Sequence, residues 1–491
     1  MSFPTAEFSS PSHKDLFIDG KWVSAIAGER IDTFNPATGG VLASLARARQ
    51  ADVDLAVKAA RRAFEGPWSR FTPAQRQQVL VKFAELVDAH YDELTLLESQ
   101  DMGAPLSRLR GAKDNYIRNI LYYSSQARSI SGDTVPNSLP GQVTTMVFKA
   151  PVGVVGGILP WNGPLSSQMY VIGPVLATGC TAVIKPAEEG SLSILRTAEL
   201  LIEAGLPPGV INVITGLGGE AGASLAAHPD VNRVAFTGST ETGREIIKAS
   251  AGNMKRLQLE LGGKSPDIVF ADADIDKAVP GVAMGIYNNS GQICFAGSRV
   301  FVQRAIYDEF VEKLAIFSQT IKVGDPLAPD TKLGPVVSQR QLDRVMGYVD
   351  KGPLEGARLV TGGKRLAGDL SGGYFIEPTI FSNVSNSMTI AREEIFGPVA
   401  CVIPFDTIEE ALTLGNATEY GLGSGVWSTN VNTVMRMVHG MQAGTVWVNC
   451  YGLLDPAVGF GGYKHSGYGW KGGPSQIDGY LYQKAAYINV D

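Results

Sequence analysis

The 491-residue chain is poor in charge and in cysteine. Asp, Glu, Lys and Arg make up 18% of it, below the roughly 25% of an average soluble protein, so much of the chain must be interior or interface. Its 42 basic and 48 acidic residues leave a net charge of −6. The basic residues are dispersed, with no basic run and no interleaved aromatics, which excludes a nucleic-acid or anionic-lipid surface. The four cysteines, Cys180, Cys294, Cys401 and Cys450, lie 114, 107 and 49 residues apart. Without a CxxC pair or a Cys/His cluster, zinc and iron–sulfur sites are excluded and no metal is expected. Free thiols at such intervals fit a reducing compartment, and residues 1–17 lack the basic and apolar regions of a secretory leader, so the cytoplasm is expected.

A long helical apolar run is also missing, although residues 150–184 form a stretch of 35 without a charged side chain. Pro151, Pro160, Pro164 and Pro174, with Gly156, Gly157 and Gly163, divide it into pieces too short to cross a bilayer as one helix. A buried strand, turn, helix and strand account for it, and no membrane partner is expected. At about 150 residues per domain, the length predicts about three domains.

From residue 150 onward, short apolar runs alternate with helical periodicity. Strands are predicted over 153–159, 181–185, 210–215 and 233–236, with helices over 165–178, 195–204 and 243–250. This alternation implies a mostly parallel, doubly wound sheet with ligands beyond the carboxyl ends of its strands. A second α/β series begins at Pro266. Its first helix carries Ile275, Val279, Val282 and Ile286 on one face, with Pro280 inside. Further strands read over 299–302, 399–405, 425–428 and 445–450, and residues 51–64 and 73–100 read as helical. Residues 131–148 and 477–490 are β-rich and fit neither series. They are expected to pair with each other and to extend onto a second copy, giving a homodimer or homotetramer.

Three segments could carry chemistry. Residues 236–243 (FTGSTETG) follow a strand and open a helix, where an anion can be held; the same spacing also suits an ordinary strand-to-helix turn. Glu260 stands where a strand runs into Gly262 and Gly263, either a base at the mouth of a cleft or a surface Glu before a turn. Cys294 sits in a glycine-flanked loop, either as a nucleophile or as a structural thiol. The other three cysteines read as structural. A thiol hydrolase with His439 or His465 as base is a further option, although neither His has a comparable setting.

In order along the chain stand Leu159-Pro-Trp-Asn162, Lys185-Pro-Ala-Glu188, Phe236-Thr-Gly-Ser239, Glu260-Leu-Gly-Gly-Lys264, Gly291-Gln-Ile-Cys294, Glu393-Glu-Ile-Phe-Gly-Pro398 and Phe460-Gly-Gly-Tyr-Lys-His-Ser-Gly467. Together these seven blocks resemble the hydrolytic, NAD(P)-dependent aldehyde dehydrogenases. The resemblance implies a Rossmann-like doubly wound cofactor domain (1–130 and 149–262), an α/β catalytic domain (263–470) and a small β element for bridging and oligomerisation (131–148 and 471–491). It implies Cys294 as nucleophile, Asn162 with the Cys294 N–H as oxyanion hole, and Glu260 as base for deacylation. For the cofactor it implies Lys185 and Glu188 at the adenosine ribose, and Ser239 and Trp161 near the pyrophosphate. Thr237 and Leu261 would sit at the nicotinamide, Glu394 and Phe396 at its ribose, and Gly238 and Gly243 in the same turn. Glu188 should repel a 2′-phosphate, favouring NAD over NADP without excluding the latter. A coenzyme A acylating enzyme, whose relatives generally lack this Glu260, and a non-catalytic protein on the same fold are the alternatives.

The departures from the family pattern are also informative. Gly163 replaces a frequent aromatic residue and widens a substrate tunnel whose other walls, by correspondence, are Tyr170, Ile293, Phe295, Leu454 and Phe460. An apolar or aromatic aldehyde is therefore expected. Val171 and Lys471 stand where many relatives carry Lys and Glu respectively, which should leave Glu260 and solvent to handle protons. Glycines 238, 243, 262, 263 and 291 are expected to let backbone approach cofactor or substrate.

Overall fold

The computed structural model describes residues 14–490; the leader reading of the first residues lies largely outside that range. The uncharged run folds as the strand Val154–Ile158, the helix Pro164–Thr178 and the strand Thr181–Lys185. Both strands are buried at every position, as expected of parallel strands covered on two faces. Pro164 opens the helix at a position that needs no N–H donor, and Gly179 closes it with φ 85°. No helix among the described residues is long and apolar enough to cross a membrane.

In the first sheet, five parallel strands stand in the order Ile211–Val213, Thr181–Lys185, Val154–Ile158, Arg233–Thr237 and Arg256–Glu260. The chain starts in the middle, builds outward to one side, and then crosses to the other side of Val154–Ile158. That reversal opens a crevice between the carboxyl ends of Val154–Ile158 and Arg233–Thr237. Residues 159–162 and 237–239 emerge there.

The second sheet runs Arg358–Thr361, Thr379–Ser382, Val399–Phe405, Arg299–Gln303, Pro266–Val269, Gly423–Trp427 and Thr445–Val448, with only the first pair antiparallel. The helix Ile275–Tyr287 buries Val279, Val282 and Ile286 against it and continues through Pro280. In a third, three-stranded sheet, Leu481–Asn489 pairs antiparallel with Val143–Pro151, from Leu481 opposite Pro151 to Asn489 opposite Val143; Asp133–Val135 completes it.

The helical reading over 73–100 resolves into two helices, Pro73–Ala89 and Tyr91–Met102, parted at His90. His90 leaves the helical region (φ −104°, ψ 12°), and Asp92 and Glu93 follow in the first turn of the second helix, where acidic side chains favour a start. The helices Lys113–Ser129, Tyr307–Gln319 and Gln339–Leu354 have no counterpart in the sequence reading.

Candidate active site

The turn before Cys294 is unusual in its backbone. Asn289, Ser290 and Gly291 have φ of 54°, 58° and 72°, three left-handed residues in succession. For Asn and Ser this conformation is strained, so it persists only where surroundings over-determine it. Here they do. Asn289 Nδ2 donates to the carbonyl of Asn162 (2.9 Å), Ser290 Oγ to that of Gly334 (2.8 Å), and the Val337 N–H to Gln292 Oε1 (2.9 Å). A Cβ on Gly291 would lie 2.0 Å from the carbonyl oxygen of Gly397, so only glycine fits.

The turn delivers Cys294 into an apolar cluster of Phe295, Leu422, Trp447, Cys450, Tyr451, Leu454 and Phe460. The Phe295 ring lies 5.3 Å from Trp447 and 5.6 Å from Phe460, and Tyr451 Oη donates to the Phe295 carbonyl at 2.7 Å. Cys180 and Cys401 are buried in the sheets, as expected of structural thiols. Cys450 is only half-buried and packs against the same cluster as Cys294. His465 lies away from this cluster, with Glu419 and Arg244 as neighbours.

Asn162 reaches the turn from the first sheet's crevice, its Nδ2 donating to the Gln292 carbonyl at 2.8 Å. The second Nδ2 hydrogen and the backbone N–H of Cys294 have no acceptor among the described residues. Two donors are thus left free beside the thiol.

Glu260 ends the strand Arg256–Glu260, opposite Thr237 on one side and Gly467 on the other. It is 1% exposed, and neither carboxylate oxygen has a hydrogen-bond partner. Burial pushes its carboxyl up to about 8, opposed by the Lys471 ammonium. The surface reading of this Glu is therefore overturned. Burial likewise pushes the Cys294 thiol up to about 12; Lys471 opposes the shift, while Glu260 and Glu394 reinforce it. Glu260 thus does not face solvent alone: Lys471 acts on it and on the thiol.

The glycines of this region make room for protein. A Cβ on Gly262 would lie 2.5 Å from Glu394 Oε2, and one on Gly263 2.2 Å from the Cys294 carbonyl oxygen. Gly263 N donates to Glu394 Oε1 at 3.0 Å. Gly238 accommodates the Phe236 ring and Gly243 the side chain of Leu261. Among protein atoms, Gly243, Gly262, Gly263 and Gly291 let segments 236–243, 260–263, 291–294 and 394–397 pack closely.

At the end of the strand Thr181–Lys185, Lys185 is 2% exposed and pairs with Glu188 Oε2 at 3.3 Å, while Glu188 Oε1 accepts from Gly218 N at 2.7 Å. Burial lowers the pKa of Lys185, and the Glu188 carboxylate opposes that shift. Ser239 caps the helix Thr240–Ser250, its Oγ accepting from Thr242 N at 3.2 Å, and the free N–H groups of that helix start open into the crevice. Thr237 ends its strand beside Glu260, and Leu261 is buried next to it. Phe396 (φ 59°) packs edge-on against Trp161, ring centroids 5.2 Å apart. Gln341 and Arg344 hold the carbonyls of Phe396 and Glu394 at 2.7 and 2.6 Å.

Of the expected tunnel walls, Leu454 and Phe460 line a cavity of about 220 Å³ with Thr445, Leu453, Asp455, Val458 and Gly459. Ile293 and Phe295 flank Cys294 in the chain. Tyr170 lies in the helix Pro164–Thr178, its carbonyl accepting from Gln476 Nε2 at 2.7 Å. Gly163 leaves open space bounded by Ser166, whose Oγ would lie 2.8 Å from an added Cβ. Sequence reading missed Asp455 and Trp447, and took Lys471 only as the loss of a carboxylate. Their adjacency to Leu454, to the 445–450 strand and to the last motif block was the available signal.

A doubly wound sheet whose switch-point crevice is tied by hydrogen bonds to a turn carrying a thiol is the layout of a nicotinamide-dependent oxidoreductase. The chain belongs to the aldehyde dehydrogenase family, whose family model matches residues 22–486. An aldehyde dehydrogenase of Alternaria alternata is 46% identical over 491 residues, covering 99% of this chain and 97% of its own. An aldehyde dehydrogenase from Bacillus cereus, solved as an NAD⁺ complex, superposes with a TM-score of 0.97 at 44% identity, covering 100% of this chain and 99% of that one. The indole-3-acetaldehyde dehydrogenase of P. syringae, solved with NAD⁺ and IAA, gives 0.94 at 41% identity over 97% of both chains. This chain is an enzyme that oxidises aldehydes with NAD.

Proposed function

We propose that Cys294, Asn162 and Glu260 carry the reaction, and that the product is the free carboxylic acid. The observation that carries this reading is the buried, unpartnered carboxylate of Glu260, placed at the same glycine junction as the Cys294 backbone. The Cys294 thiolate adds to the aldehyde carbon to give a thiohemiacetal, whose oxyanion accepts from the Asn162 amide and the Cys294 N–H. Bound NAD supplies the hydride acceptor. Loss of hydride from the thiohemiacetal carbon leaves a thioester on Cys294. Glu260 then takes a proton from water as its oxygen adds to the thioester carbon, and collapse releases the acid and the thiolate.

The residues present fit a dinucleotide: a cationic and an anionic side chain paired at one strand end, and a capped helix start at the next. Lys185 and Glu188 would hold the adenosine ribose and Ser239 and Trp161 the pyrophosphate side. Thr237, Leu261, Glu394 and Phe396 would hold the nicotinamide half. The Glu188 carboxylate favours NAD over NADP. The apolar cluster around Cys294 supports an apolar or aromatic aldehyde, although Asp455 puts one carboxylate in the outer cavity lining. The division at residues 130, 149, 262 and 470, association through the third sheet, and a cytoplasmic setting for four free thiols belong to the same reading.

The test is Cys294→Ala. NADH formation from any aldehyde should fall to background while NADH still binds, followed by its fluorescence. Retained turnover would overturn the assignment. Free acid formed without coenzyme A excludes the acylating alternative.

A further inference from the structure

The helix Pro164–Thr178 carries no charged side chain, so it brings no cation to the reaction centre. Val171 is buried against the first sheet, and its Cγ1 would lie 2.9 Å from a Cβ on Gly157. Lys471 is placed against the same helix. Its N–H and carbonyl both bond to Phe460 at 2.7 Å, fixing its backbone beside the apolar cluster that Cys294 packs against. Its ammonium lies 5.8 Å from the centroid of the Tyr170 ring. Gln476 secures that arrangement, accepting from Gly472 N and donating to the Tyr170 carbonyl, both at 2.7 Å. Among the described residues, Lys471 makes no ion pair, and Glu260 has no hydrogen-bond partner for either oxygen.

The titratable groups that act on Glu260 are Lys471 and Tyr170; those that act on Cys294 are Lys471, Glu260, Glu394 and Tyr451. Lys471 is the one cation in that set, facing two carboxyls, two phenols and a thiol. In a pocket lined by Phe295, Trp447 and Phe460, a charge of either sign is poorly solvated, so a fixed opposite charge has more effect than it would in water.

We propose that Lys471 is the electrostatic partner of the reaction centre: held against Phe460 and over the Tyr170 ring, its ammonium is the positive charge offered to the Glu260 carboxylate and the Cys294 thiolate. It is a positioning residue that exchanges no proton with substrate. The proposal rests on the roles assigned above to Cys294 and Glu260.

The test compares Lys471→Met and Lys471→Arg with the parent in the full-length enzyme. Two pH midpoints are read: that of turnover under saturating NAD and aldehyde, and that of Cys294 alkylation by iodoacetamide, with Cys294→Ala as the background for the other thiols. In Lys471→Met both midpoints should rise by about one pH unit, the low end of what an adjacent opposite charge does. Turnover and alkylation near neutrality should then drop about tenfold. Lys471→Arg should keep both midpoints near the parent. The Phe460 bonds are backbone bonds, so the Met variant retains them, and NADH binding reports whether each variant is folded. Unmoved midpoints in a folded Lys471→Met variant, or equal shifts in Met and Arg, would overturn the proposal. Failure of the underlying roles looks different: Cys294→Ala would remain active, or Glu260→Gln would keep parental turnover.

Discussion

Glu260 illustrates how burial shapes a reaction profile. Its carboxyl is pushed up to about 8, so near neutrality the acid form prevails, whereas a base for deacylation must be ionised. Turnover should therefore climb as pH rises through about 8. Glu260→Gln should remove that limb and lower steady-state turnover by about 10²- to 10⁴-fold, the usual range for a general base. The first turnover precedes deacylation, so a burst of NADH should survive in stopped-flow records. The same burial has a stability consequence. The folded pKa lies above the value of 4.5 for an unperturbed Glu, so the fold loses stability through this group as pH rises from about 4.5 to about 8. Glu260→Gln should accordingly melt higher than the parent above pH 8, with the gap narrowing toward pH 5. A gap that widened on acidification would mean that the carboxylate is paired in the native state. At the other end of the crevice, Glu188→Gln removes a carboxylate from the ribose side. Even at the dielectric of water, two unit charges about 4 Å apart repel by about 1 kcal/mol. The ratio of kcat/KM for NADP over NAD should rise several-fold.

At the scale of elements, the site depends on segments that approach more closely than side chains allow. Gly291 combines a φ of 72° with a carbonyl oxygen 2.0 Å from where its Cβ would be. Gly291→Ala should lower the melting temperature by several degrees and suppress turnover, since displacing either segment moves Cys294 or Phe396. Gly252→Ala is the control: nothing lies within 4 Å of its Cβ position and its φ is not in the left-handed region, so stability should be unchanged or slightly improved. These elements also show where legibility from sequence ended. The buried strands over 154–158 and 181–185 and the helix between them were readable because uncharged β-rich runs broken by Gly and Pro have few alternatives. Gln339–Leu354 was overlooked although its buried Leu342, Val345, Tyr348 and Val349 recur at helical spacing, with charged residues on the other face. Cys294, Asn162 and Glu260 were singled out through motif order, but the burial of Glu260 and the packing of Gly243 against Leu261 depend on contacts between separate elements. Lys471 looked like the loss of a carboxylate; only the fold reveals it as the gain of a cation.

The whole molecule raises the question of what covers its third sheet. Among the described residues, the strand Leu481–Asn489 is nine residues long and its ladder is formed with Val143–Pro151. Around it Phe148, Tyr482, Tyr487, Ile488 and Val490 are 49%, 43%, 69%, 44% and 61% exposed. A strand at the edge of a sheet, flanked by exposed apolar side chains, is a template for another strand unless it is covered. The covering expected here is a second copy of the same sheet, since a closed two-fold contact satisfies both edges at once. Sedimentation velocity should therefore give a dimer or a tetramer at micromolar concentration. Placing charge at the centre of that face, with Tyr487→Asp and Ile488→Asp together, should shift the protein toward monomer. A parent enzyme that sediments as a monomer would contradict the assembly. Turnover in the dissociated variant has its own expected outcome. Cys294, Asn162, Glu260 and Lys471 all come from one chain, so the reaction centre does not need its neighbour. Yet the helix Gly473–Gly479, whose Gln476 holds Tyr170 and Gly472, leads directly into Leu481–Asn489. Loosening that strand should therefore cost thermal stability first, and raise the pH midpoint of turnover only insofar as Lys471 loses its fixed place above Tyr170.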